Sequence, residues 1–255
     1  MVYPMFQRLA LIAGPKAMEK LASASVLVFG LGGVGSWCAE ALVRSGIGKI
    51  GIADYDTVCV SNVNRQVQAT SLSVGQPKAE ALKQRLLEIN PSCEITAWNE
   101  VFSKENAACF GIEKADYAID AIDSLPFKLD LIQICCASGV KLFSSMGMAR
   151  KMDPTRIKIA DFWKTAACPL ARLVRAGLRK RGFTGSFTAV YSDEPPITQF
   201  DAITAENSGE APGKKAVNGS AVTVTASAGL MLASLVLRDI AECCGNPSAG
   251  RNCHG

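Results

Sequence analysis

With 255 residues, 49% of them hydrophobic and 20% charged, the chain can bury one large core without cross-links, which excludes a disordered or collagen-like polymer. A net charge of +4, from 27 basic and 23 acidic residues, tolerates a polyanionic partner without demanding one. The single histidine, His254, lies next to the C-terminus, so serine or cysteine triads and histidine-based zinc or iron sites have nothing to build on.

In chain order, Val26-Leu27-Val28-Phe29 is a short apolar run that ends in a glycine loop, and residues 34–46 then read as a helix stopped at Gly46. Lys49 to Ala53 is a second buried strand, ending at Asp54. Pro77 opens a helix whose apolar face is Ala79, Leu82, Leu86 and Ile89, and Asn90-Pro91 ends it. Glu94 to Ala97 and Tyr117 to Ile122 are further strands, followed by a helix over 125–138 and a strand over 141–145. Near-continuous apolar strands alternating with helices predict an α/β fold of Rossmann-like type, its mostly parallel central sheet flanked by helices. Beyond residue 150 the pattern loosens. Arg156 to Ala160 reads as a strand, 169–181 as a basic helix, 192–219 as a long loop and 220–240 as a closing helix. Residues 1–244 are expected to form one domain and 245–255 a flexible tail.

Two features invite other readings. Ala221 to Leu237 is seventeen uncharged residues long, but its two Thr, two Ser and Gly and its shortness for a bilayer favour a buried helix; peripheral membrane contact is the minor alternative. The ten cysteines mostly sit in apolar runs, with no C-x-x-C pair, and read as packing residues of a reducing, cytoplasmic compartment. The N-terminal Met1-Val2-Tyr3-Pro4 opens no secretory signal.

Chemistry concentrates in the first half. Gly30-Leu31-Gly32-Gly33-Val34-Gly35 is a G-x-G-x-x-G turn between a strand and a helix, where phosphates can lie on the helix N-terminus. Asp54, at the end of the next strand, is placed to accept ribose hydroxyls. That much means a nucleotide, and a nicotinamide dinucleotide would also fit. Downstream stand Ser61-Asn62-Val63-Asn64-Arg65-Gln66, Gly75-Gln76-Pro77-Lys78 and Asp120-Ala121-Ile122-Asp123. A hydride-transfer enzyme has no use for an arginine and a lysine aimed at phosphates. An enzyme that cleaves ATP between its α- and β-phosphates does, since charge develops there, and Asp123 could hold Mg²⁺.

Taken together, G-x-G-G-x-G-S, D-x-D-x-V-x-x-S-N-x-x-R-Q, G-x-P-K and D-x-x-D resemble the ubiquitin-activating E1-like superfamily, with its bacterial ThiF, MoeB and HesA types. The resemblance implies that Gly30, Gly32, Gly33, Gly35 and Ser36 form the phosphate loop and that Asp54 takes the ribose. It places Asn62, Arg65, Gln66 and Lys78 at the triphosphate and makes Asp123 the magnesium-side acid. It also implies a homodimer in which Arg8 reaches a partner's ATP site.

The second half, from Met152-Asp153-Pro154-Thr155 through Lys164-Thr165 and Pro169-Leu170-Ala171 to Asn218-Gly219-Ser220, is similar to the tRNA threonylcarbamoyladenosine dehydratases. The implied activity is ATP-dependent cyclisation of N6-threonylcarbamoyladenosine at position 37 of tRNA. The carboxylate is first adenylylated; a neighbouring carbamoyl atom then closes the ring, which needs no histidine. Arg172, Arg175 and Arg179 fall on one face of the basic helix and offer phosphate contacts to such a partner. The alternative function is an adenylyltransferase that activates the C-terminus of a ubiquitin-like sulfur carrier. Some relatives take sulfur from a cysteine desulfurase on a cysteine that the segment Ser186–Ser192 lacks; Cys168 is the nearest other thiol and reads as a packing residue.

Overall fold

Short apolar runs separated by amphipathic segments leave the chain one economical solution, a sheet with helices on both faces. The computed structural model describes residues 4–200 and 218–245. Helices α1 (Gln7–Ala13) and α2 (Pro15–Ser23) lead into β1 (Ser25–Phe29), α3 (Gly35–Arg44), β2 (Lys49–Ala53), α4 (Lys78–Ile89) and β3 (Glu94–Trp98). Then come β4 (Tyr117–Asp120), α5 (Leu125–Ser138) and β5 (Lys141–Ser145). The second half adds β6 (Ile157–Asp161), α6 (Pro169–Lys180), β7 (Thr188–Ser192) and α7 (Val222–Cys243).

The seven strands lie in the order β3-β2-β1-β4-β5-β7-β6, with all neighbours parallel except β6, which runs antiparallel to β7. From β1 the chain winds outward through β2 and β3, then returns to the other side of β1 with β4. That reversal opens a crevice at the carboxyl ends of β1 and β4, where sheets of this kind bind ligands.

Three details differ from the sequence reading. The segment Thr188–Ser192 is a strand wedged between β5 and β6, with Ser144 paired to Ala189 and Val190 to Ile159. It was hidden because, apart from a half-buried Thr188, it is buried on both faces and shows no alternation. Strand β4 ends at Asp120 rather than Ile122, because the Asp120 carboxylate turns back to accept the Ile122 N–H at 3.1 Å. The loop expected over 192–219 lies outside the described residues between 201 and 217, as does the tail from 246 onward.

Helix α7, long and apolar enough to cross a membrane by length and composition, lies with half of its apolar window buried against the protein. It packs on α3 so closely that a side chain at Gly229 would stand 2.4 Å from the Val34 carbonyl. The nine described cysteines are free thiols, and burial pushes Cys38 and Cys135 well above the ordinary range, as suits packing residues.

Candidate functional site

Two glycines of the turn after β1, Gly30 and Gly35, stand where their neighbours leave no room for a side chain. Gly30 has φ +86, and a side chain there would meet the Ala121 carbonyl at 2.7 Å; one at Gly35 would stand 1.9 Å from the Gly30 carbonyl. Gly32, by contrast, faces open space, with nothing within 4 Å of where its side chain would begin. Two substitutions should therefore separate. Gly35→Ala is expected to force the turn apart and cost about 1–3 kcal/mol of stability, read as a lowered melting temperature. Gly32→Ala should leave the melting temperature unchanged while weakening nucleotide binding in a titration.

The segment that carries Arg65 is fastened over this turn. The Ser36 hydroxyl donates to the Gly32 carbonyl at 2.7 Å and accepts the Val67 N–H at 3.3 Å. Trp37 Nε1 donates to the Arg65 carbonyl at 3.0 Å, and Gln68 Nε2 to the Leu31 carbonyl at 2.8 Å. Arg65 is thereby laid across Gly33, whose Cβ would come within 3.3 Å of the arginine Cγ. Arg65 Nη1 donates to the Ser61 carbonyl at 2.8 Å and to Asn64 Oδ1 at 3.0 Å, which fixes the guanidinium.

The result is a cavity of about 800 Å³ at the carboxyl edge of the sheet, of a size that fits a small-molecule site. Gly30, Gly32, Gly33, Asp54, Asn62, Arg65, Gln66, Lys78 and Asp123 all line it. Three other expected residues do not. Gly35 sits under the turn rather than at the wall. Ser36, fully buried, spends its hydroxyl on the backbone and shapes the loop from beneath. Arg8 is exposed on α1, away from the cavity within this chain.

Electrostatics sharpen the picture. Buried Lys78 pairs with Asp56 at 2.8 Å, a partner the sequence reading passed over. Asp54 accepts the N–H of Leu31 at 2.6 Å and that of Asp56 at 2.9 Å, which ties the end of β2 to the glycine turn. Burial raises the Asp54 carboxyl above its ordinary value, an effect that the Lys78 charge and those two N–H groups oppose. Gln66 lines the cavity with its buried Oε1 lacking any partner among the described residues, so a donor from a bound molecule would complete it. Asp123 is exposed at the wall, while its neighbour Asp120 is wholly buried against Lys128 at 2.8 Å and Ser144 Oγ at 2.6 Å. One exposed carboxylate beside the glycine turn is a sparse donor set of the kind that suits Mg²⁺, an ion that keeps most of its shell as water and ligand oxygens. Among the described residues no group of three or more His, Cys, Asp or Glu side chains is placed to hold a metal by itself.

Residues missed in the sequence also reach the wall. Thr225 of α7 closes it behind Gly33, and Arg150 and Lys151 enter from the loop after β5. No motif marks them; only the sheet order brings them here. Burial pulls the Lys151 ammonium below the usual lysine range, partly offset by Cys168 and Glu194.

The basic run of α6 is less free than its spacing implied. Arg175 Nη1 donates to the Thr165 carbonyl at 2.9 Å, Arg179 lies over the Trp163 ring at 5.5 Å, and Arg181 pairs with Asp130 at 2.5 Å. Arg172, Arg179 and Lys180 stay exposed, on a helix whose first residues, Pro169 and Leu170, form part of the cavity rim.

Comparison with known proteins places the chain among relatives of similar sequence and fold. The chain is 41% identical over 238 residues to the tRNA threonylcarbamoyladenosine dehydratase of Bacillus subtilis, covering 92% of this chain and 94% of that one. It is 37% identical over 243 residues to the enzyme of that name from Escherichia coli, with 90% of each covered. The solved Escherichia coli tRNA N6-threonylcarbamoyladenosine dehydratase in complex with ATP superposes with a TM-score of 0.83 at 35% identity, covering 95% of this chain and 96% of that one. The ThiF family model matches residues 6–253. A glycine turn roofed by Arg65, with Lys78 on the same cavity, is thus carried by a chain that belongs to the ThiF family.

Proposed function

We propose that this chain is an ATP-dependent dehydratase that cyclises N6-threonylcarbamoyladenosine at position 37 of tRNA. The observation that carries the reading is the joint placement of Arg65 and Lys78 on one cavity with Gly30, Gly32 and Gly33, in a chain matched almost end to end by proteins of that activity.

In this reading ATP lies with its ribose at Asp54 and its phosphates over the glycine turn, at the N-terminus of α3. An oxygen of the threonyl carboxylate attacks the α-phosphorus, and the bond to the β-phosphate oxygen breaks to release pyrophosphate. Arg65 and Lys78 carry the charge that builds on the phosphoryl oxygens and the leaving group. Mg²⁺, held beside Asp123, would add Lewis-acid neutralisation of the same charge. A carbamoyl nitrogen or oxygen of the same nucleoside then attacks the activated acyl carbon, a carbamoyl N–H gives up its proton, and AMP is expelled. The nucleophile and the acyl group share one side chain, so high effective concentration stands in for a protein nucleophile. Net, the nucleoside loses one water, whose oxygen leaves in AMP.

Arg8, exposed on α1, would serve the site of a second copy in a homodimer. The exposed cations of α6, starting at the cavity rim, would meet phosphates of the RNA outside the reacting nucleotide.

Incubation of the purified protein with ATP and tRNA bearing the modification tests the reading. The expected result is loss of the mass of one water from the nucleoside, with AMP and pyrophosphate released in equal amounts. No mass change, together with pyrophosphate exchange driven by a ubiquitin-like sulfur carrier, would overturn it.

A further inference from the structure

Along the carboxyl edge of the sheet, functional positions follow the spatial order of the strands. Asp54 follows β2, the glycine turn follows β1, Asp123 follows β4, and Arg150 lies in the loop after β5. Neighbouring strands stand ~4.8 Å apart, so the strand that delivers Arg150 is roughly 10 Å from the one that delivers the glycine turn. A nucleotide with its ribose at Asp54 and its phosphates at the turn occupies the β2 and β1 side. The second reactant has to arrive from the side of β4 and β5, where Arg150 stands.

Arg150 is held there against its own preference. Its φ is +60, and Ala167 is the one other non-glycine residue with positive φ among the described residues. A long side chain in that region costs free energy and persists only where neighbours impose it. They do so at three points. The Arg150 N–H donates to the Gly219 carbonyl at 2.8 Å, its carbonyl accepts the Ile197 N–H at 2.8 Å, and its Nε donates to the Ile197 carbonyl at 2.9 Å.

With Nε committed, the guanidinium is oriented, and none of the ion pairs among the described residues includes it. The other cations on the cavity are engaged. Lys78 is paired with Asp56, Arg65 Nη1 is bound to Ser61 and Asn64, and Lys151 Nζ donates to the carbonyls of Ser192 and Glu194. An oriented, half-buried arginine fork facing a cavity is suited to a planar anion with two oxygens.

We propose that Arg150 binds the carboxylate of the substrate's threonylcarbamoyl group and presents it to the α-phosphate, an inference that rests on the dehydratase reading above. One carboxylate oxygen forms the new bond to phosphorus while pyrophosphate departs. The other stays on the guanidinium. When the carbamoyl atom adds to the acyl carbon, that second oxygen takes up the negative charge, and it returns the electron pair as AMP leaves; Arg150 stabilises it in between.

The test is Arg150→Gly, which removes the fork and is at ease at φ +60, so its melting temperature should match or exceed that of the unchanged protein. Binding is measured for tRNA that carries threonylcarbamoyladenosine and for the same tRNA without the group, alongside KM for the modified RNA and the Kd for ATP. The expected result is KM raised about 10- to 100-fold for the modified RNA, the loss of one charge-assisted contact. Affinity for the unmodified RNA and for ATP stays as it was. An equal loss of affinity on both RNAs would mean that the arginine holds a backbone phosphate, and would overturn the proposal. So would an unchanged KM. If Arg150→Gly melts lower than expected, Arg150→Asn, whose side chain also tolerates this backbone region, carries the same comparison. Failure of the unchanged protein to dehydrate modified tRNA is a separate result that removes the functional reading itself.

Discussion

Replacing Lys78 with methionine is expected to lower the rate of pyrophosphate release by at least about 10²–10³-fold, the usual consequence of removing one preorganised group from developing oxyanion charge. The loss here is compounded. Lys78 is buried and lies 2.8 Å from Asp56, so the substitution also strands that carboxylate beside the phosphates it would repel. Part of the defect is therefore structural, and a second change separates the two. Adding Asp56→Asn to Lys78→Met removes the stranded charge and should restore the melting temperature, while pyrophosphate release stays low. Recovery of both together would mean that Lys78 serves only to neutralise Asp56.

The largest effect on stability should come from Lys128. Its ammonium and the Asp120 carboxylate are both fully buried, 2.8 Å apart, and Lys128 Nζ also donates to the Ile122 carbonyl at 3.0 Å. Lys128→Met leaves Asp120 charged in the core, a change that costs about 3–5 kcal/mol in such pairs. For a chain of this length each kcal/mol shifts the melting temperature by about 2–4 °C, so a fall of roughly 6–20 °C is expected in a thermal melt. Asp120→Asn with Lys128→Met should recover much of it, since an amide oxygen can still accept the Ile122 N–H. A melting temperature unmoved by Lys128→Met would contradict the buried pair. The same pair sets the path of the chain from β4 into α5, so it governs where Asp123 meets the cavity.

How much of this was legible in the sequence depended on how local the signal was. Strands β1 to β5 announced themselves because each is a short apolar run punctuated by glycine, proline or a helix pattern. Strand β7 did not, since a segment buried on both faces carries no alternation, and the antiparallel direction of β6 is set by the chain's return path rather than by any residue. That Arg65 and Lys78 share a cavity with the glycine turn was readable, because motifs downstream of the next strand return to the carboxyl end of β1. Ser36 illustrates the opposite case. A hydroxyl beside a glycine turn can face the cavity or the loop, and here it fastens Val67 over Gly32. Arg150 carries no local mark at all. Its place on the cavity wall arises from β5 lying two strands from β1 and from two distant carbonyls, at 197 and 219, that hold its side chain and backbone. On the basic face of α6, spacing alone could not show that Thr165 binds Arg175 or that Arg179 lies over Trp163, because both partners come from outside the helix.

The central claim, that the carboxylate of the nucleoside is activated by transfer of AMP, is tested most directly by following an oxygen. Modified tRNA is prepared with heavy oxygen in the threonyl carboxylate and converted with ATP in ordinary water, and the AMP released is analysed by mass spectrometry. The account predicts one heavy oxygen in each AMP formed. Heavy oxygen found in the water or in inorganic phosphate, with none in AMP, would contradict it.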